Sequence, residues 1–370
     1  MTVFSPVFSS SPWILALFPP ILTVRGGIGG IFSGNLATML HLGLIKPKIR
    51  GNTDQYKWLI KSVLVITVID TLILGMFSFI VNIINGSAVM SQWFLFICVP
   101  TVACMLAVCI SIPMTSLIAI ETYNRGLDPD ILVYPILASL NDIVVTSFFV
   151  VTVFLVLGGG LYYSFLVVLF FVILALVGFI AVQSRGNKFF QKTIQEGTFV
   201  VVMSSLFGSV NGILLSNLGP SISRTPGLMI MYPALTNALG NVGSIIGSKT
   251  TTDIALGYAR SFIEELKESG RSIIQVEIPA MFMHIVFAFI SFTLSRGSGA
   301  NLLELVSIAL SCNLISFIIV SIFSLWIAHV SFARGLNPDN VVIPAITSVS
   351  DTTATLAVTP ALMISKLIIG

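Results

Sequence analysis

Apolar stretches of about twenty residues recur along the whole of this 370-residue chain, each long enough to cross roughly 30 Å of hydrocarbon as a helix. No water-soluble core could bury so many of them. Inside a bilayer each backbone N–H and C=O needs a partner within the protein, and stretches of this length satisfy that need as helices. Composition agrees: 9% of residues are charged and mean hydropathy is +1.03, whereas a soluble domain carries about 25% charged residues. The expected fold is all-α, a polytopic membrane bundle.

Breaking the chain at its Gly, Pro and charged clusters predicts ten transmembrane helices, at roughly 12–45, 58–84, 92–121, 131–158, 161–183, 197–218, 229–257, 273–295, 301–330 and 341–364. Met1 to Ser11 lack the basic start of a signal peptide, and no soluble stretch exceeds about twenty residues, so no separate catalytic or regulatory domain is expected. Threading the helices through a bilayer gathers Lys46, Lys48, Arg50, Lys57, Arg125, Arg185, Lys188, Lys192, Arg260, Lys267, Arg271 and Arg334 on one side. Only Arg224, Arg296 and Lys366 fall on the other. By the positive-inside rule the first side is cytoplasmic and both termini face outward, in a multi-pass protein of the cell membrane. With a net charge of +3 spread over short loops, nucleic acid is not an expected partner. Cys98, Cys104, Cys109 and Cys312 lie in apolar runs without CxxC spacing and read as packing residues.

The chain repeats itself. RGLDPDILVYPILASLNDIVVT, from Arg125, aligns without a gap on RGLNPDNVVIPAITSVSDTTAT, from Arg334, at a shift of 334 − 125 = 209, with 10 of 22 positions identical. Most of the matches are not aliphatic, so shared hydrophobicity does not explain them. A weaker pair, from Phe18 and from Tyr232, aligns at 232 − 18 = 214 and matches Pro19/Pro233, Gly26/Gly240, Gly29/Gly243, Thr38/Thr252 and Gly43/Gly257. The order is kept, and six helix steps return the second copy to the first orientation. The expectation is two parallel repeats about a pseudo-twofold axis along the membrane normal, divided as a first unit at 1–160, a linker helix and loop at 161–196, and a second unit at 197–370.

Within each DP segment Asp128 or Asn337 reads as a helix N-cap, with Pro129 or Pro338 at the first helical position. Asp130 and Asp339 then fall in the first turn, favoured by the helix dipole. Capping accounts for these acids, and Asp128, Asp130 and Asp339 are also candidates for a cation-attracting mouth. Asp142 and Asp351 differ, since each lies about twelve residues, or roughly 17 Å, into its helix, near the bilayer midplane. Pro135, Ser139, Asp142 and Thr146 form a polar stripe that Pro344, Ser348, Asp351 and Thr355 repeat. A carboxylate at that depth costs several kcal/mol unless it meets water, a partner or a cation. Asn141 and Asn241 add oxygen ligands nearby. Asp70 and His284 occupy equivalent mid-helix positions (284 − 70 = 214) and are candidates for a secondary cation or proton site, with a pairing of Asp70 and Arg25 as the plainer alternative. His41 and His329 lie near helix ends and read as interfacial. Three scattered histidines make no zinc motif.

LGNVGSIIGSKTTTDIALG resembles the Gly-Asn-Val-Gly segment of the MgtE magnesium channels, and DPDNVVIPAITSVSD resembles a segment of the related solute-carrier family 41 magnesium transporters. In the first copy Ile131 replaces Asn340, and Gly26-Gly27 replaces the Gly-Asn pair. The resemblance implies two units around a central Mg²⁺ pathway, with Asp142 and Asp351 forming the ion site. It also implies that one duplicated chain supplies what two identical chains supply in MgtE, so that a homodimer is optional. The cytoplasmic sensor domains of MgtE are not expected here.

Magnesium favours oxygen ligands and keeps much of its water, and is commonly held by one or two carboxylates. Paired aspartates with Ser139, Ser348, Asn141 and Asn241 suit that ion, with no thiolate or imidazole cluster for a softer metal. The expected partners are thus the lipid bilayer and divalent cations, Mg²⁺ being cargo, with no organic cofactor and no enzymatic activity. A secondary transporter of another cation or a small organic solute is the alternative.

Overall fold

The computed structural model describes residues 12–84, 86, 88–258, 262, 264 and 270–369. Met1 to Ser11, Arg260 and Lys267 lie outside the described residues. Ten α-helices and no strand occur among those described: α1 (Pro12–His41), α2 (Asp54–Ile84), α3 (Trp93–Asn124), α4 (Pro129–Leu157), α5 (Gly160–Ser184), α6 (Lys188–Arg224), α7 (Leu228–Ala255), α8 (Gly270–Ser295), α9 (Leu302–Ala333) and α10 (Pro338–Ile369). They answer one for one to the ten apolar segments. Seven, α2 to α5 and α8 to α10, are long and apolar enough to cross a membrane. The remaining three, α1, α6 and α7, are richer in Gly, Asn, Thr or charged residues. α1 and α7 each pack against three other helices, and a helix so surrounded need not be apolar all round.

The chain divides into two units, Met1–Ser205 and Leu206–Gly370. In the first, α1 packs against α2, α3 and α4, α2 lies on α3, α3 lies on α4, and α5 covers α2, α3 and α4. Along α1 the buried Ile14, Leu17, Ile21, Val24, Ile28 and Ile31 alternate in steps of three and four, the spacing that keeps one apolar seam against neighbouring helices. Polar bonds cross between helices too: Tyr56 donates to the Ser116 hydroxyl at 2.8 Å, and Thr71 to the Thr101 hydroxyl at 3.1 Å.

In the second unit α7 packs against α8, α9 and α10, α8 lies on α9, and α9 on α10. Every one of these pairings recurs in the first unit when α1 to α4 are matched with α7 to α10. Two sequences with little overall identity thus fold to one arrangement of four helices.

Local chemistry explains several residues that the two copies share. Gly126 and Gly335 follow α3 and α9 with φ of 69° and 71°, a left-handed conformation that other L-residues adopt only with strain. Each ends its helix in a Schellman motif: Leu127 N–H reaches the Thr122 carbonyl at 3.0 Å, and Leu336 N–H reaches Ser331 at 2.9 Å. Gly43 and Gly257 do the same after α1 and α7, with φ of 68° and 84°. At the start of α4 the Asp128 carboxylate accepts the Asp130 N–H at 2.9 Å, and at α10 Asn337 accepts the Asp339 N–H at 3.2 Å. These are the caps expected from the sequence, with Pro129 and Pro338 opening the helices.

Candidate functional site

Asp142 lies 142 − 129 = 13 residues into α4, and Asp351 lies 351 − 338 = 13 residues into α10, or about 20 Å along each axis. Both are half-buried in their own units. Their surroundings differ.

In the first unit Asn141 is buried, with its Oδ1 lacking a hydrogen-bond partner. A Cβ on Gly29 would meet the Arg25 guanidinium at 2.7 Å and the Asn141 Nδ2 at an ordinary 3.6 Å, so Gly29 makes room for the arginine. Ser139 is exposed. Arg25, one turn before Gly29, is 1% exposed, its guanidinium donating to the Ser111 hydroxyl and interacting electrostatically with Asp142. Arg25 bonds Ser111 and not Asp70, so the alternative of a pairing with Asp70 is not what the structure forms.

In the second unit the equivalent of Arg25 is Leu239 (25 + 214), fully buried, and the equivalent of Ser111 is Val320 (111 + 209), also fully buried. The Arg25–Ser111 pair therefore has no equivalent at these two positions of the second unit. Gly240, Gly243 and Gly247 lie instead against Ser350, Ile346 and Val342 of α10; a Cβ on Gly243 or Gly247 would come within 2.5 Å of Ile346. The Gly-rich stretch thus brings α7 onto the turns of α10 that precede Asp351. Ser348 and Thr355 are buried, and their hydroxyls donate to the carbonyls of Pro344 at 3.1 Å and Asp351 at 2.7 Å. Tyr232 shares a hydrogen bond with the Thr355 hydroxyl. Asn241 donates to Asn237 at 3.1 Å, while its own Oδ1 is buried without a partner.

The remaining candidates separate by unit. Asp70 is 1% exposed, and neither carboxylate oxygen has a hydrogen-bond partner; Thr198 of α6 approaches without closing one. His284 is fully buried, its Nδ1 within 2.7 Å of the Ala280 carbonyl, which leaves the lone pair on Nε2. Asp339 is buried at the start of α10, and Asp128 and Asp130 lie at the start of α4, where His41 faces both of them at 3.6 Å.

One buried acid was not singled out by the sequence reading. Glu277 in α8 is 7% exposed, and one of its oxygens accepts a hydrogen bond from the Asn313 amide of α9 while the other has no partner. The signal was present in the sequence, an acid one turn into the apolar run 273–295.

The fold and these residues define a class: a polytopic helical membrane protein with a duplicated four-helix unit and acidic side chains deep in its spanning helices. The family model for MgtE, described as a divalent cation transporter, matches residues 18–152 and 232–359, one region in each copy. The chain belongs to this family. Among relatives, it is 21% identical over 372 residues to mouse Solute carrier family 41 member 3, covering 94% of this chain and 74% of that one. It is 20% identical to the rat protein of the same name, covering 94% and 78%, and 22% identical to mouse Solute carrier family 41 member 2, covering 93% and 63%. No solved structure matches.

Proposed function

We propose that this chain moves Mg²⁺ across the membrane through a central pathway to which each repeat contributes one midplane aspartate, Asp142 and Asp351. The observation that carries this reading is the recurrence of that aspartate at the thirteenth residue after the first in two helices with the same caps and neighbours. Membership of a divalent cation transporter family supports the cargo. Ser139, Ser348, Asn141 and Asn241 add oxygen atoms near the two acids, with most water kept on the ion. Asp128, Asp130 and Asp339 form an acidic mouth at the starts of α4 and α10.

Arg25 changes the charge count. Two carboxylates alone would neutralise a dication and hold it too firmly to let it leave. A fixed guanidinium beside one of them makes the three groups sum to −1, and conduction needs a site favourable enough to enter yet weak enough to release.

The test is Mg²⁺ uptake into liposomes holding the purified protein. Asp142→Asn and Asp351→Asn keep shape and hydrogen bonding while removing a charge. Uptake is expected to fall at least tenfold in each single variant, with gel-filtration profiles unchanged. Wild-type uptake in a correctly folded double variant would overturn the reading. Uptake of an organic cation in place of Mg²⁺ would favour the alternative.

A further inference from the structure

The end of α1 and the start of α4 bring together three side chains that no sequence motif links, since His41 and Asp128 are 128 − 41 = 87 residues apart. His41 Nε2 lies 3.6 Å from an oxygen of Asp128 and 3.6 Å from an oxygen of Asp130, and one ligand atom from each residue falls within 4.8 Å of the others. The Asp130 side chain is 2% exposed. His41 Nε2 is itself buried and has no hydrogen-bond partner, while the ring is held edge-on to Tyr123 at 5.9 Å between centroids.

These separations are too long for hydrogen bonds, which close at about 2.7–3.2 Å. They suit ligands shared by one ion, because a nitrogen and an oxygen each about 2.1 Å from a metal, at a tetrahedral angle, stand roughly 3.4 Å apart. An imidazole among two carboxylates also shifts preference away from Mg²⁺, whose usual ligands are oxygen, toward borderline metals. The second unit provides an internal contrast: the corresponding positions are Ala255 (41 + 214), Asn337 and Asp339. There the nitrogen ligand and one carboxylate are both gone, although the helix cap survives.

We propose that His41, Asp128 and Asp130 form a binding site for a divalent transition metal of the Zn²⁺ or Co²⁺ kind, confined to the first unit. Water completes the coordination. A metal held there occupies the acidic mouth of α4, where it competes with the passage of a harder cation.

Co²⁺ titrated into the full chain in detergent, with Mg²⁺ in hundredfold excess, gives visible absorption when a nitrogen and carboxylates bind it. One Co²⁺ per chain, displaced by Zn²⁺ and not by Mg²⁺, is expected for the wild type. His41→Ala should weaken binding at least tenfold. So should Asp128→Asn, which keeps the cap that Asn337 makes in the other copy and so guards against a misfolded His41→Ala. Asp142→Asn should leave it unchanged. No Co²⁺ binding in the wild type, binding at wild-type affinity in both mouth variants, or loss in Asp142→Asn alone would each overturn the site. Because binding is read without flux, failure here leaves the proposed pathway standing, and failure of the flux test leaves this site standing.

Discussion

Among the described residues, each unit holds a buried charged side chain hydrogen-bonded to a neutral one where its counterpart has neither, and in both cases the two partners change together. Arg25 with Ser111 becomes Leu239 with Val320, and Glu277 with Asn313 becomes Val63 (277 − 214) with Cys104 (313 − 209). The physical reason is the cost of stranding one partner, about 1–3 kcal/mol for a buried group left unsatisfied, whereas replacing both by apolar groups is close to neutral. Glu277→Val alone should therefore lower stability by that order, measured by thermal unfolding in detergent. Glu277→Val with Asn313→Cys, which reproduces the pair of the first unit, should recover most of the loss. Strict additivity of the two changes would show that the pair is not coupled. The caps and the C-terminal glycines were legible from sequence because they depend on residues within a few positions of one another. The contacts of Arg25 with Ser111, Glu277 with Asn313 and His41 with Asp128 were not, because each depends on which helix face meets which.

At the scale of helices, apolar runs divided at Gly, Pro and charged clusters located the ten helices, seven of them apolar enough to cross a membrane, and the shared pairings of α1 to α4 and α7 to α10 follow the repeat that the sequence displays. What length could not reveal is which glycines lie in a contact. Gly26 and Gly240 align, yet a Cβ at Gly26 meets nothing within 4 Å, while at Gly240 it meets Ser350 at 3.3 Å. At Gly247 it meets Ile346 at 2.5 Å and Val342 at 2.6 Å. Gly247→Ala is expected to cost about 1–3 kcal/mol by overpacking the α7–α10 contact. Gly26→Ala should be neutral or stabilising by up to about 1 kcal/mol, since alanine favours a helix interior where nothing is displaced. Thermal unfolding of the two variants side by side checks this; equal melting shifts would mean that the close approach of α7 to α10 is not as described. Loops obey similar local rules. Asn52 accepts the Lys46 N–H at 3.0 Å and donates to the carbonyls of Lys46 at 3.0 Å and Lys48 at 2.8 Å, so it organises the basic loop between α1 and α2.

For the whole molecule, the bias of basic residues toward one side leads us to place that loop in the cytoplasm. The test is a cysteine at Ile49, an exposed position, rather than at Asn52, whose side chain the loop needs. Cys109, the exposed native cysteine, is replaced by serine. Ile49→Cys should resist a membrane-impermeant maleimide in intact cells and react once the membrane is opened; strong labelling before opening would reverse the orientation.

Duplication within one chain also bears on assembly. If both aspartates of a pathway come from the same chain, a chain lacking one of them cannot be rescued by a chain lacking the other. If instead Asp142 of one chain works with Asp351 of a second, mixed assemblies regain an intact pair. Asp142→Asn and Asp351→Asn proteins, reconstituted together at equal amounts into the same liposomes, distinguish the two cases. We expect the mixture to show the average Mg²⁺ uptake of the two variants alone, at every protein density. An uptake well above that average, rising with density as chains meet, would mean that the working unit is a dimer sharing its aspartates. That expectation rests on the duplication: both DP segments, both caps and both Asp142 and Asp351 are present in one polypeptide, so under the proposed pathway a second copy adds no missing ligand.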